Sequence, residues 1–173
     1  MDLLSKIRNV PDFPKPGIQF KDITTLVGDA EAFGFVIDGM ARRYRGAGLT
    51  KIVGVESRGF IFGAALAHAL GIGFVPVRKA GKLPAETIRE SYELEYGEAT
   101  IELHVDALRA GDRVLLVDDL LATGGTLEAA ARLVERSGAT VHEIWVLIEL
   151  AFLPGRARLQ RWPLHTELVV TSE

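Results

Sequence analysis

Val114-Leu115-Leu116-Val117-Asp118-Asp119-Leu120-Leu121-Ala122-Thr123-Gly124-Gly125-Thr126 joins an apolar run, two adjacent acids and a loop of small residues. Arg113–Val117 is too apolar to leave one strand face wet, so it reads as a central strand of a parallel sheet. Beyond the loop, Thr126–Ser137 has the amphipathic pattern of a helix ended by Gly138, and Thr140–Glu149 reads as the next strand. The same alternation extends toward the amino terminus. Lys51–Val55 is a buried strand, Phe60–Leu70 a helix and Gly73–Val77 a strand. Ala30–Arg45 is a helix with Phe33, Val36, Ile37 and Met40 on one face. Arg42, Arg43 and Arg45 fall near its end, where the helix dipole favours cations. Strand, helix and strand at this spacing predict right-handed βαβ units, hence an α/β fold with a doubly wound, mostly parallel sheet flanked by helices.

Outside this core the pattern changes. Leu3–Val10 has a short helical pattern ended by Pro11, and the prolines of Asp12–Gly17 forbid regular helix there. Between Arg78 and Ala110 the periodicity weakens, and Tyr92–His104 alternates loosely. That predicts a hairpin excursion from the sheet, which at such length in a compact domain is usually a lid or binding loop. Phe60–Val77 carries no formal charge if His68 is neutral and approaches membrane-spanning length. Gly71, Gly73 and Pro76 break it, so it reads as core. No linker divides the 173 residues, and the expectation is one domain over 1–173 with the excursion at about 78–110.

Composition excludes several classes of function. Apolar residues make up 48%, enough for a sizeable core. Twenty Lys and Arg against 23 Asp and Glu give a net charge of −3, which argues against general nucleic-acid coating. There is no cysteine, which removes disulfides, thiolate catalysis and Cys-ligated zinc. The amino terminus lacks a signal-peptide pattern, so the expected location is the cytoplasm, without membrane or nucleic-acid partners. The four histidines have no metal-ligand spacing, and Trp145 and Trp162 read as packing residues.

In an open parallel sheet, ligands sit at the carboxyl ends of strands. At the end of the strand over 113–117, Thr123, Gly124, Gly125 and Thr126 let backbone N–H groups close around a phosphate, aided by the helix dipole. Two carboxylates beside an anion site serve hydroxyls or a metal, and the hydroxyls of a ribose bearing a 5′-phosphate satisfy both demands. The loop lacks the Gly-Lys-Ser/Thr ending of a Walker loop. A second strand end, Val55-Glu56-Ser57-Arg58-Gly59-Phe60, places a permanent cation where another anion can bind.

The 13-residue run resembles the 5-phosphoribosyl 1-pyrophosphate (PRPP) signature of the type I phosphoribosyltransferases. Glu56–Phe60, Arg78-Lys79-Ala80-Gly81-Lys82-Leu83-Pro84 and Leu94-Glu95-Tyr96-Gly97 bring the resemblance to the members of that family that use adenine. It spans nearly the whole chain and weakens over Arg161–Glu173. The resemblance implies the type I phosphoribosyltransferase fold and transfer of phosphoribose from PRPP to adenine, giving AMP and pyrophosphate in purine salvage. It also implies Mg²⁺ held mainly by PRPP and water, with no direct protein ligand, and a homodimer. Ala122, Thr123, Gly124, Gly125 and Thr126 are then expected to hold the 5′-phosphate, and Asp118 and Asp119 the ribose hydroxyls. Glu56, Ser57, Arg58, Gly59, Arg78, Lys79 and Lys82 are expected at pyrophosphate, with a cis peptide at Glu56–Ser57 and Arg78 reaching a neighbouring subunit. Glu95 matches the proposed general base, Arg58 a second catalytic group, and Tyr96 lines the closed lid. Main-chain groups of Gln19 and Lys21, with the Phe20 ring and Leu120, are expected to hold adenine. Transfer to xanthine, hypoxanthine, guanine or orotate, and a PRPP-sensing regulator without catalysis, stay open as alternatives.

Overall fold

The computed structural model describes residues 1–94 and 96–172. At the amino terminus it corrects the helix expected over Leu3–Val10. Leu4–Lys6 make only a 3-10 turn, Ile7 is already extended, and Arg8–Pro11 (β1) pairs antiparallel with Gln19–Asp22 (β2). Pro11 cannot continue a helix and biases Val10 toward extended backbone, which outweighs the apolar spacing.

Thr24–Val27 (α1) leads to Ala30–Tyr44 (α2), whose amino end is capped by the Asp29 carboxylate accepting from the N–H groups of Glu31 and Ala32. Lys51–Val55 (β3), Arg58–Leu70 (α3) and Gly73–Lys79 (β4) follow. Next come Thr87–Glu93 (β5) and Glu98–His104 (β6), then Arg113–Leu121 (β7), Gly125–Arg136 (α4) and Thr140–Leu150 (β8). Gly155–Arg158 (α5) and Leu164–Val170 (β9) complete the described elements.

The large sheet has the order β5-β6-β4-β3-β7-β8-β9. From β4 to β9 neighbouring strands run parallel, whereas β6 and β5 form an antiparallel hairpin hung on the end of β4 through the pairs Arg78↔Glu102 and Lys79↔Ile101. The period of two along each strand sorts side chains between two cores. Val53, Val55, Val114 and Leu116 meet Leu127, Ala130 and Leu133 of α4 on one face. Ile52, Leu115, Val117 and Trp145 meet Met40 of α2 and Phe62 and Leu66 of α3 on the other. Each fully buried Leu, Val or Phe contributes roughly 1.5–3 kcal/mol. Among the described residues no helix is long and apolar enough to cross a membrane.

Two boundaries matter for the site. β7 runs to Leu121 rather than ending at Val117, so both acids are strand residues held in register by β8, with Asp118 opposite Val146. The carboxyl-terminal stretch, for which the sequence offered no task, supplies β9 and closes the sheet beside β8.

Candidate active site

The turn from β7 to α4 is shaped by glycines. Gly124 stands at the amino end of α4 with φ +84°, and no side chain caps that helix. Its first N–H groups therefore lie open to an anion. Gly155 presses the turn from the side of α5, since a Cβ there would come within 2.3 Å of the Ala122 carbonyl oxygen. From the hairpin, Tyr92 of β5 lies against Gly125 and accepts a hydrogen bond from Thr126 Oγ1 at 3.0 Å. Arg158 also flanks Gly124 and Gly125 while pairing with Glu128 at 2.5 Å. Tyr92 and Arg158 carried no sequence signal of their own. Both reach the loop only through the fold.

The two acids differ in setting. Asp119 is buried, at 5% exposure, and is paired with Arg58 Nε. Asp118 accepts the Asp119 N–H at 2.8 Å. Burial, then the neighbouring Asp119 charge, pushes the Asp118 carboxyl well above the ordinary carboxylate range. Burial works against the charge of Arg58, but Asp119 and Asp118 outweigh it and its pKa is raised.

At the end of β3 the Glu56–Ser57 peptide is cis, as the resemblance implied. The Glu56 carboxylate accepts from Arg78 Nη2 at 2.8 Å and from the Lys79 N–H at 2.7 Å. Burial pushes Glu56 upward, yet these donors overcome it and its pKa is lowered. Gly59 lets α3 start against β7, because a Cβ would fall 2.6 Å from the Val117 carbonyl oxygen.

These elements enclose a polar cleft of about 440 Å³. It brings together Glu56, Ser57, Arg58, Lys79, Lys82, Asp118, Asp119, Leu120 and Thr126, all marked by the sequence, and adds Tyr92. Arg78 does not line it; its guanidinium is turned to Glu56 and the Lys82 carbonyl. Tyr96, at the hairpin tip, is 83% exposed, and Glu95 lies outside the described residues.

Beside the cleft lies a second, more apolar hollow of about 530 Å³, and Arg58 and Leu120 line both. Gln19, Phe20 and Lys21 form one wall, and the Arg58 guanidinium sits 5.8 Å from the centre of the Phe20 ring. Sequence reasoning missed Leu150, Phe152 and Leu153 as lining residues; only their place at and just after the end of β8 could have drawn attention to them. The side chains of Gln19 and Lys21 are turned away to Asn9 on β1, which donates to Gln19 Oε1 at 2.7 Å and accepts from Lys21 Nζ at 2.9 Å. β2 has β1 as its sole partner strand among the described residues, which leaves the main chain of its other edge available.

Among the described residues no three His, Cys, Asp or Glu side chains gather as a metal cage. The acids that face the cleft suit Mg²⁺, because that ion keeps several waters and needs few carboxylates.

The phosphoribosyl transferase domain family matches residues 25–170. Adenine phosphoribosyltransferase of Maricaulis maris is 56% identical over 173 residues, covering 100% of this chain and 99% of that protein. The crystal structure of adenine phosphoribosyltransferase from Thermoanaerobacter pseudethanolicus superposes with a TM-score of 0.94 at 51% identity, covering 98% of both chains. That of the Giardia lamblia enzyme complexed with 9-deazaadenine gives 0.93 at 40% identity, covering 99% of this chain and 97% of the other. The chain belongs to the type I phosphoribosyltransferase family, in its adenine phosphoribosyltransferase branch.

Proposed function

We propose that this chain transfers the 5-phosphoribosyl group of PRPP to N9 of adenine, releasing pyrophosphate and forming AMP in purine salvage. The observation that carries the reading is the shared wall of Arg58 and Leu120 between the polar cleft and the apolar hollow, which supports binding of a phosphorylated ribose beside a planar base. Family membership supports the same reaction.

The roles divide along the cleft. The Ala122–Thr126 turn holds the 5′-phosphate with main-chain N–H groups, the α4 dipole and threonine hydroxyls. Asp118 and Asp119 accept from the ribose hydroxyls. Lys79, Lys82 and Ser57 face the pyrophosphate, while Glu56 and Arg78, bound to one another, fix the end of β4 from which Lys79 projects. As the bond from C1 to the pyrophosphate oxygen breaks, that oxygen leaves with the electron pair and C1 gains oxocarbenium character. The fixed cations stabilise the departing charge. Mg²⁺, held by the diphosphate and water beside Asp118 and Asp119, would neutralise part of it. N9 of adenine attacks C1 and loses its proton, for which Glu95 on the hairpin is the candidate acceptor. The hairpin within 78–110 acts as the lid of one domain spanning 1–173, with Tyr96 closing over the site.

Adenine stacks between Phe20 and Leu120, and the Gln19 and Lys21 main chain pairs with its N6 and N1 edge. Guanine reverses the donor and acceptor pattern there, which leaves buried polar groups unpaired at about 1–3 kcal/mol each. Homodimerisation belongs to the same reading: Ile61 and Ala64 form an exposed apolar face on α3. Phosphorylated substrates, which do not cross membranes, support a cytoplasmic location.

A base panel tests the proposal. With PRPP and Mg²⁺, pyrophosphate release is expected with adenine and not with guanine, hypoxanthine, xanthine or orotate. Turnover of another base would overturn the pocket assignment, and PRPP binding without any turnover would point to a sensor.

A further inference from the structure

The hairpin reaches the phosphate turn through a side chain that the division of roles above leaves idle. Tyr92 lines the polar cleft, its ring lies against Gly125, where a Cβ would come within 3.1 Å of Cδ2, and its hydroxyl meets that of Thr126. We propose that Tyr92 is a positioning residue for the 5′-phosphate, acting through the Thr126 hydroxyl. The inference rests on the assignment of Ala122–Thr126 to that phosphate and extends it to a residue 34 positions away on another element.

Proton counting gives the mechanism. A threonine hydroxyl has one proton, and here it goes to Tyr92. A phosphate offers only acceptors at this point, so on binding Thr126 must turn its proton to the phosphate. Its oxygen then accepts, and the tyrosine hydroxyl, which serves in either direction, becomes the donor. The pair survives with its direction reversed. The resulting chain runs from Tyr92 through Thr126 to the phosphate, and each bond polarises the next. An unassisted threonine rotor would instead have to be fixed by the ligand alone.

The strand that presents Tyr92 is anchored on the same helix. Glu90 of β5 pairs with Arg136 at 2.8 Å and lies 3.8 Å from Arg132, both on α4. The helix that offers its amino end to the phosphate therefore also fixes the strand carrying Tyr92.

Tyr92→Phe keeps the ring and removes the hydroxyl. Steady-state kinetics in both directions separates its effects, because PRPP and AMP carry the 5′-phosphate whereas adenine and pyrophosphate do not. The expected result is a rise of about five- to twenty-fold in KM for PRPP and for AMP, with the other two constants within about twofold. Thr126→Val should raise the same pair, and the double variant should add little to Thr126→Val alone. A uniform rise across all four substrates would reduce Tyr92 to a packing residue. Unchanged PRPP and AMP constants in Tyr92→Phe, with Thr126→Val impaired, would remove Tyr92 alone from the site. Unchanged constants in Thr126→Val would instead overturn the phosphate-loop assignment.

Discussion

Burial and the adjacent charge of Asp119 hold the Asp118 carboxyl well above the ordinary carboxylate range. An acid whose pKa is raised by folding binds its proton more tightly in the folded state. Its effect on stability is least harmful below the unfolded value and grows costly as pH rises through the folded one. Asp118→Asn removes that cost, and its amide oxygen can still accept from the Asp119 N–H. Thermal unfolding at pH 7 should show Tm raised by about 2–5 °C, a gain that disappears as pH falls below the ordinary carboxylate range. The same variant should lose about ten- to hundred-fold in kcat/KM for PRPP. Equal shifts at acid and neutral pH would mean that the charge is not the cause. The types of these residues were legible in the sequence because an acid pair before a Gly-Thr loop has few structural uses. The pairing of Asp119 with Arg58 was not, since the two lie 61 positions apart and meet only where α3 starts beside β7.

Among the elements, the short α5 has an effect out of proportion to its length. Arg156 grips the buried Glu149 of β8 through Nε at 2.7 Å and Nη2 at 2.5 Å, which sets Gly155 against the turn from β7 to α4. The Ala122 carbonyl occupies the place of a Cβ, and main chain cannot swing aside as a flexible side chain does. Gly155→Ala should therefore cost about 1–3 kcal/mol in denaturant unfolding and raise KM for PRPP by displacing the turn. A stability equal to wild type would show that the turn yields freely. The long helices and parallel strands followed from periodicity within a few residues, since each buries a regular stripe. β1 and β9 did not. β1 is short and exposed at three of its four residues, and its apolar spacing fits either period. β9 takes its place from its pairing with β8, which local pattern does not encode.

For the whole molecule, the sheet buries both faces, one under α4 and the other under α2 and α3. The remaining apolar surface on α3 is the expected contact with a second copy. Sedimentation should give a mass twice that of the 18.8 kDa chain, and Ile61→Asp should shift it toward the monomer. A wild-type monomer at micromolar concentration would remove the dimer from the reading. The α/β class could be inferred from the alternation of elements alone. The adjacency of the polar and apolar hollows could not, because it depends on β2, the end of β3, β7 and the stretch after β8 converging at one rim.

Asn9 holds the side chains of Gln19 and Lys21, so in the proposed binding mode these two positions meet the base through main chain, and Phe20 alone of the three adds a side chain. For anyone seeking to redirect the protein to a different purine, a library randomised at positions 19 and 21 should, in the proposed binding mode, vary side chains that the base does not touch. The productive targets are the path of β2 itself, through the hairpin turn that joins it to β1, and the opposite wall at Phe152 and Leu153. On this reading, evolution is free to drift at 19 and 21 as long as the strand keeps its course.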